Sequence, residues 1–302
     1  VDMLPHFESR DANGIKNIAE KIGEIKSKSL SYSNAFRADN PRIVARAKKC
    51  YGMAKDLMEE IATELGKNED VENYKEYKEG CKKAYQALVQ TKEFDLDTDR
   101  QAQLVRPLAL ELLNEKQKEF AKKRLIKAME NYGWRLGTGF LSTPFILDIL
   151  ADIDIEAAYK LLENEEIPGW LSMPKAGATT IWERWNSYMV DEGMGPQGMN
   201  SFNHYAYGCV CEWIWETAAG IASDTASPGF KHIIMKPIPD KRLGYINAEY
   251  QSASGLIKSA WRYEGDQWIW DFTIPEGTTA SVTIPGESEA KTYTSGTYQI
   301  VK

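Results

Sequence analysis

Apolar and charged positions follow a helical period through the first 130 residues. Ile15, Ile18, Ile22 and Ile25 recur at spacings of three and four. Val44, Ala47, Tyr51, Ala54, Met58, Ile61 and Leu65 form a longer stripe that opens after Asn40-Pro41 and stops at Gly66. Asparagine offers an acceptor to the free N–H groups of a first turn, proline fits the first helical position, and glycine tolerates the left-handed residue that closes a helix. A helix over 41–65 is therefore predicted. The stripe Val71, Tyr74, Tyr77, Cys81, Tyr85 and Leu88 predicts another over 71–88. Weaker stripes predict helices over 100–113, 115–131, 139–151, 155–164 and 204–220, the last closed by Gly220. Successive helices on short connections pack as antiparallel pairs, so this part reads as α-helical hairpins.

After about residue 228 the period becomes two. Pro228, Pro237, Pro239, Pro275 and Pro285 break the chain into short pieces. Ile257, Ser259, Trp261 and Tyr263 alternate up to Gly265-Asp266, and Trp268, Trp270, Phe272 and Ile274 alternate beyond it. Alternation on both sides of a two-residue glycine turn predicts a β-hairpin. With β-rich runs at 231–238, 245–251, 279–284 and 297–301, the expected ending is a small antiparallel β-sandwich. The expected division is a helical domain over 1–227 and a β-sandwich domain over 228–302.

Composition narrows the partners. Among 302 residues, 37 Lys and Arg stand against 44 Asp and Glu, a net charge of -7. The basic footprint of a nucleic-acid binder is missing, so no nucleic-acid partner is expected. No run approaches the ~18 consecutive apolar residues of a membrane helix, so no membrane span is expected. The N-terminal Val-Asp-Met-Leu-Pro lacks the basic and apolar regions of an export signal; any such signal would lie upstream of Val1. Cys50, Cys81, Cys209 and Cys211 have no C-x-x-C spacing, and only three histidines are present. A zinc site is therefore not expected, and the cysteines read as buried free thiols.

Candidate chemistry lies between the two regions. All nine tryptophans fall at or after Trp134, and the run Gly177-Ala178-Thr179-Thr180-Ile181-Trp182-Glu183-Arg184-Trp185 sets a carboxylate between two indoles. A carboxylate among aromatics loses hydration and must be hydrogen-bonded or paired. One reading makes Glu183 an acid–base group beside flat apolar platforms for a sugar ring. The other pairs it with Arg184 or another cation and assigns the tryptophans to the core. In the run Met199-Asn200-Ser201-Phe202-Asn203-His204-Tyr205-Ala206-Tyr207-Gly208, His204 falls at the start of the last predicted helix, where a neutral imidazole can hydrogen-bond a hydroxyl.

These two blocks, together with Gly133-Trp134-Arg135-Leu136-Gly137-Thr138-Gly139-Phe140-Leu141-Ser142-Thr143-Pro144, resemble in order and spacing the C-terminal half of the bacterial inverting α-L-rhamnosidases, glycoside hydrolase family 78. Ala219-Gly220-Ile221, Asp224 and Pro228-Gly229-Phe230-Lys231 continue the similarity, which spans at least residues 130–302 and extends more weakly to 65–74. The resemblance implies helical hairpins of an (α/α)6 toroid, incomplete here, followed by an antiparallel β-sandwich. It implies hydrolysis of terminal α-L-rhamnosyl linkages in a rhamnose-containing oligosaccharide or glycoside, with no metal or organic cofactor. Glu183 resembles the general base, His204 and Asn203 would contact the sugar, and Trp182 and Trp185 would shape or line its pocket.

Inversion uses two carboxyl groups ~6.5–9.5 Å apart. The family's general acid lies in an Asp-Glu-Arg-x-Gly-Trp type of block, and none precedes Glu183. Glu8-Ser9-Arg10-Asp11 and Asp97-Thr98-Asp99-Arg100 lack the following Gly-Trp. The eight predicted helices also fall short of the twelve of a six-hairpin toroid. The expectation is a chain that carries the base side of the site and has little or no activity alone. The alternative is a non-catalytic carbohydrate-binding protein on the same fold.

Overall fold

A computed structural model of the protein describes residues 58–59, 61–90 and 95–302. The stripe at 15–25, most of the helix over 41–65, Cys50 and the Glu8–Asp11 run lie outside the described residues. The end of that second helix is as expected. Gly66 takes φ 66°, Gly66 N–H donates to Thr63 O at 3.0 Å, and Lys67 N–H donates to Ala62 O at 2.8 Å. This is the paired C-terminal closure that glycine permits.

The chain forms two compact units. The described part of the first comprises residues up to Leu96 with Leu110–Lys118. Its main helix, α1 (Asn68–Leu88), buries Val71 and Tyr85 from the predicted stripe. Helix α3 (Glu115–Asn131) opens here on a reciprocal cap: Asn114 N–H donates to Gln117 Oε1 at 3.1 Å and Gln117 N–H to Asn114 Oδ1 at 3.0 Å.

The second unit, Asp97–Ala109 with Glu119–Lys302, holds the helices α2 (Gln101–Ala109), α4 (Thr143–Ile153), α5 (Ile155–Leu162) and α6 (Ser172–Lys175). Helix α2 is shorter than expected and contains Pro107. Helix α4 starts four residues later than expected, at Thr143, with Pro144 in its first turn, where its missing N–H costs nothing. The segment expected as one α-helix over 204–220 changes pitch along its length. It runs as a 3-10 turn (Ala206–Cys209), one α-turn (α7, Val210–Trp213) and a π-turn (Ile214–Ala218). Two segments that the hydrophobic pattern did not announce are the short strands β1 (Tyr188–Met189) and β2 (Gly193–Met194), which pair as a hairpin. The cysteines are less buried than expected: Cys81 and Cys209 are half-buried, Cys211 is exposed, and all three are free.

The remainder is a six-stranded, sandwich-like sheet of β3 (Ile221–Ser223), β4 (His232–Met235), β5 (Tyr245–Ser252), β6 (Gly255–Glu264), β7 (Gln267–Val282) and β8 (Lys291–Val301), in the order β3-β4-β7-β6-β5 with β8 on β7. The β6–β7 hairpin turns through Gly265-Asp266 as predicted, with Glu264 opposite Gln267. Strand β7 is long enough to serve two partners in succession. Residues 267–273 pair antiparallel with β6, and residues 279–282 pair parallel with β4, so the sheet is mixed where an antiparallel one was expected. A bulge between Ile274 and Thr279 separates the two halves along β8. Alternation puts Ile257, Trp261, Trp270, Phe272, Ile274, Ala280 and Val282 in one buried core.

Helices and sheet meet at the end of the π-turn. The buried residues Ala218 and Ala219 are followed by Gly220 at φ 71°. Helix ends leave carbonyls without intrahelical partners. Here the sheet supplies donors: Trp261 Nε1–H donates to Ala218 O at 2.7 Å and Ser259 Oγ–H to Ala219 O at 2.6 Å, while Trp270 Nε1–H donates to Ser259 Oγ at 2.9 Å. A Cβ on Gly220 would lie 2.1 Å from Pro237 N, so no side chain fits there. On the rim, Arg242 reaches Asp240 at 2.6 Å and both Glu156 and Glu163 at 3.1 Å. Hydrogen bonding to that guanidinium holds the Asp240 carboxyl below the usual carboxylate range.

Replacing Trp261 with Phe keeps an apolar ring but strands Ala218 O in a dry interior. The expected loss is about 2 kcal/mol or more of unfolding free energy, read from urea denaturation. A loss under about 0.5 kcal/mol would show that water replaces the indole.

Candidate active site

The chain brings Glu183 and His204 to neighbouring positions by pairing two segments, 180–183 and 201–204. Glu183 N–H donates to Ser201 O at 2.8 Å, and His204 N–H to Ile181 O at 2.9 Å. Thr180 Oγ1–H donates to Phe202 O. Ser201 N–H returns a bond to Glu183 Oε2 at 2.9 Å, so the carboxylate is oriented by the segment that carries the histidine. Among the described residues Glu183 has no ion pair; the backbone N–H of Arg184 donates to Ser187 Oγ at 3.2 Å. The intervening loop is folded back by the β1–β2 hairpin, by Gly195 N–H donating to Ser187 O at 2.8 Å, and by the Asn200 amide donating to Ser187 O and Gly195 O.

The two tryptophans next to Glu183 in sequence are buried among other rings. Trp182 is 5% exposed and meets Phe202 and Tyr188 edge-on. Trp185 is 8% exposed, stacks on Tyr207 at 3.8 Å and meets Trp170 edge-on. Trp170 Nε1–H donates to Tyr207 O at 2.9 Å and closes this group. Asn203 is exposed, with its N–H on Ser201 Oγ at 3.2 Å.

His204 stands two residues ahead of the 3-10 turn, not at the head of a long helix. Its Nδ1 accepts Ala206 N–H at 3.3 Å, which leaves Nε2 as the donor nitrogen of a neutral ring. The imidazole lies nearly parallel to two rings: Phe140 at 4.9 Å and 15°, and Tyr205 at 5.5 Å and 4°. Phe140 is set in turn by buried Gln101. Its Nε2–H donates to Arg135 O at 2.8 Å and its Oε1 accepts Gly137 N–H at 2.7 Å. The hydroxyls of Thr138 and Thr143 then bond at 2.9 Å, and Thr143 donates to Gly139 O. Gly137 leaves room for this amide: a Cβ there would come to 3.0 Å of it and press on the Gln101 side chain.

Sequence reasoning missed Phe140, Tyr205 and Gln101. An isolated aromatic or glutamine has no period to mark it, although the first two stand inside the quoted blocks. It also missed four acidic groups, Asp148 and Asp152 on α4 and Glu212 and Glu216 on the segment after His204. Reduced hydration, then the charges of Glu212, Glu216 and Asp152, push the Asp148 carboxyl up to about 6. The Asp97–Arg100 run is structural. Asp97 and Asp99 bind Arg124 at 2.6 and 2.8 Å, and hydrogen bonds from Asn131 and Arg124 hold Asp99 below the ordinary range, opposite to what a proton donor requires. Among the described residues no His, Cys, Asp and Glu group is arranged to hold a metal ion, and no helix is long and apolar enough to cross a membrane.

Helical hairpins that lead into a sandwich-like sheet, with Glu183 and His204 brought together by one backbone clamp, are the arrangement of a six-hairpin glycosidase-type domain followed by a C-terminal β-domain. Residues 8–218 match the bacterial α-L-rhamnosidase six-hairpin glycosidase domain, and residues 220–299 the bacterial α-L-rhamnosidase C-terminal domain. The chain belongs to the bacterial α-L-rhamnosidase family. It is 37% identical over 234 residues to an α-L-rhamnosidase of Formosa agariphila, which covers 77% of this chain and 25% of that protein. Among solved structures it is similar to the Streptomyces avermitilis α-L-rhamnosidase complexed with L-rhamnose, with TM-score 0.75, 29% identity, and 85% of this chain on 26% of that one. The native Aspergillus terreus α-L-rhamnosidase matches with TM-score 0.75 and 29% identity over 83% of this chain and 29% of its own. The chain thus spans about a quarter of the length of these relatives.

The acidic group makes a pH prediction. The Asp148 carboxyl titrates at its ordinary 3.8 when unfolded and about 6 when folded. Its contribution is therefore whole below pH 4 and lost as pH rises through 6. Asp148→Asn should raise the melting temperature at pH 7.5 and lose that advantage below pH 4. The gain should be of order 1 kcal/mol or less, because the group is partly exposed and screened. An equal effect at both pH values would show that charge is not the cause.

Proposed function

We propose that this chain carries the general-base side of an α-L-rhamnosidase site that hydrolyses terminal α-L-rhamnosyl linkages with inversion. The observation that supports this best is the orientation of Glu183 by the backbone of Ser201, on the same clamp that carries His204. In the reaction Glu183 takes a proton from water as the water oxygen bonds to the anomeric carbon. The bond to the leaving oxygen breaks, and a general acid protonates that oxygen. His204 Nε2–H and Asn203 bind rhamnose hydroxyls, and Trp182 and Trp185 give the pocket its shape. The substrate is a rhamnose-containing oligosaccharide or glycoside, in keeping with the L-rhamnose held by the Streptomyces avermitilis relative. The organisation is a catalytic helical domain over 1–227 and a β-sandwich domain over 228–302.

A second reading, sugar binding without turnover, is favoured for the isolated chain by one observation. No Asp-Glu-Arg-x-Gly-Trp block precedes Glu183, and a positioned proton donor contributes roughly 10²- to 10⁴-fold.

Two variants test the assignment in an enzyme that contains this segment. Glu183→Gln should cut turnover at least ~10²-fold while leaving ligand affinity nearly intact, because only proton abstraction is removed. Near-normal turnover would make Glu183 structural. His204→Ala should weaken L-rhamnose binding by about 1 kcal/mol or more, measured by calorimetry or ligand-observed NMR. Unchanged affinity would remove His204 from the site.

A further inference from the structure

The ring of Tyr205 is 89% exposed although it is stacked parallel to His204. Packing does not account for it, since a ring so exposed buries almost no apolar area. Its backbone is nevertheless fixed. Tyr205 caps the 3-10 turn, its carbonyl accepts Gly208 N–H at 2.8 Å, and the preceding residue is tied to Ile181 O. Tyr205 therefore stands as an exposed phenol ring beside His204 on a fixed stretch of backbone. A tyrosine so presented offers a flat apolar face and a hydroxyl at little entropic cost, since only two side-chain torsions need ordering.

We infer that Tyr205 is the stacking platform for the leaving group of the substrate, a ring with a flat C–H or π face attached to the rhamnose. This rests on the reading of His204 as a contact of the terminal sugar. In an enzyme that removes a terminal residue, that residue lies deepest and its leaving group lies outward. The exposure of the two neighbouring rings, His204 half-buried and Tyr205 exposed, matches that order. Stacking on an aromatic face is tolerant of the ring's identity, so both an aryl group and the C–H face of a second sugar satisfy it.

The test uses the full 302-residue chain, its Tyr205→Ala and Tyr205→Phe variants, and His204→Ala as a control. Four ligands are titrated by ligand-observed NMR: L-rhamnose, methyl α-L-rhamnoside, 4-nitrophenyl α-L-rhamnoside and a rhamnosyl-glucose disaccharide. The native chain should bind the aryl glycoside, the disaccharide or both more tightly than the methyl glycoside, and which of the two gains identifies the source of the ring. Tyr205→Ala should erase that gain, about three- to tenfold, without changing L-rhamnose affinity, and Tyr205→Phe should retain most of it. A Tyr205→Ala variant that leaves all four affinities unchanged, or lowers all four equally, overturns the platform while His204 remains a rhamnose contact. Absence of L-rhamnose binding by the native chain overturns the site reading itself and the platform with it. Self-association of the native chain that Tyr205→Ala abolishes, with sugar affinities unchanged, identifies the ring as a protein contact and also overturns the proposal.

Discussion

Two backbone carbonyls at the end of a helix govern how this molecule is put together. Ala218 O and Ala219 O are buried, and a buried acceptor without a donor costs about 1–3 kcal/mol. The donors come from Trp261 and Ser259 on β6, with Trp270 on β7 holding the serine hydroxyl in place. The sheet is thus chemically required by the helix, beyond covering its apolar surface. The π-turn fits this role: Ala219 N–H reaches back to Ile214 O, and the chain leaves that wider turn through Gly220 directly into β3. A side chain at position 220 would collide with Pro237.

This anchor matters for the site because the same continuous segment that ends at Ala218 begins just after His204. The sheet fixes one end of residues 206–218, and the clamp between 180–183 and 201–204 fixes the other. Stacking of His204 on Phe140 then refers the imidazole to a third point, the stretch that Gln101 pins at Arg135 and Gly137. Three independent tethers on one imidazole leave it little freedom, and such preorganisation is what binding a hydroxyl in a defined direction requires.

The sequence showed some of this clearly. Strong, uninterrupted periods were legible: the stripe of α1, the closure at Gly66, and the β6–β7 hairpin, where alternation around Gly265-Asp266 puts Ile257, Trp261, Trp270, Phe272 and Ile274 in the core. Pitch changes within 206–218 were not legible, because each of the 3-10, α and π stretches is only four or five residues long, too short for its own period to repeat. The parallel β4–β7 pair was hidden for a related reason, since period two marks a strand without marking its partner. Glu183 and His204 stood out through the blocks around them. Their clamp did not, because it is made largely of backbone bonds that any side chain could accompany. Tyr205 was passed over since tyrosine is common and its significance lies in exposure, a property of the folded chain.

The manner in which Glu183 is held bears on its proposed role. A carboxylate paired with arginine has its charged form stabilised by the cation and becomes a weaker base toward water. Here a single backbone N–H holds Oε2, while among the described residues Oε1 has no hydrogen-bond donor from the protein. One oxygen is then the hinge that sets direction and the other is uncommitted. The donor is also part of the main chain, so it cannot rotate away as a side chain would. Its position is set by the reciprocal bond from Glu183 N–H to Ser201 O. A group that must take a proton from water on one face of a sugar ring needs this combination of fixed aim and retained basicity, which the neutral clamp supplies and an arginine partner would reduce.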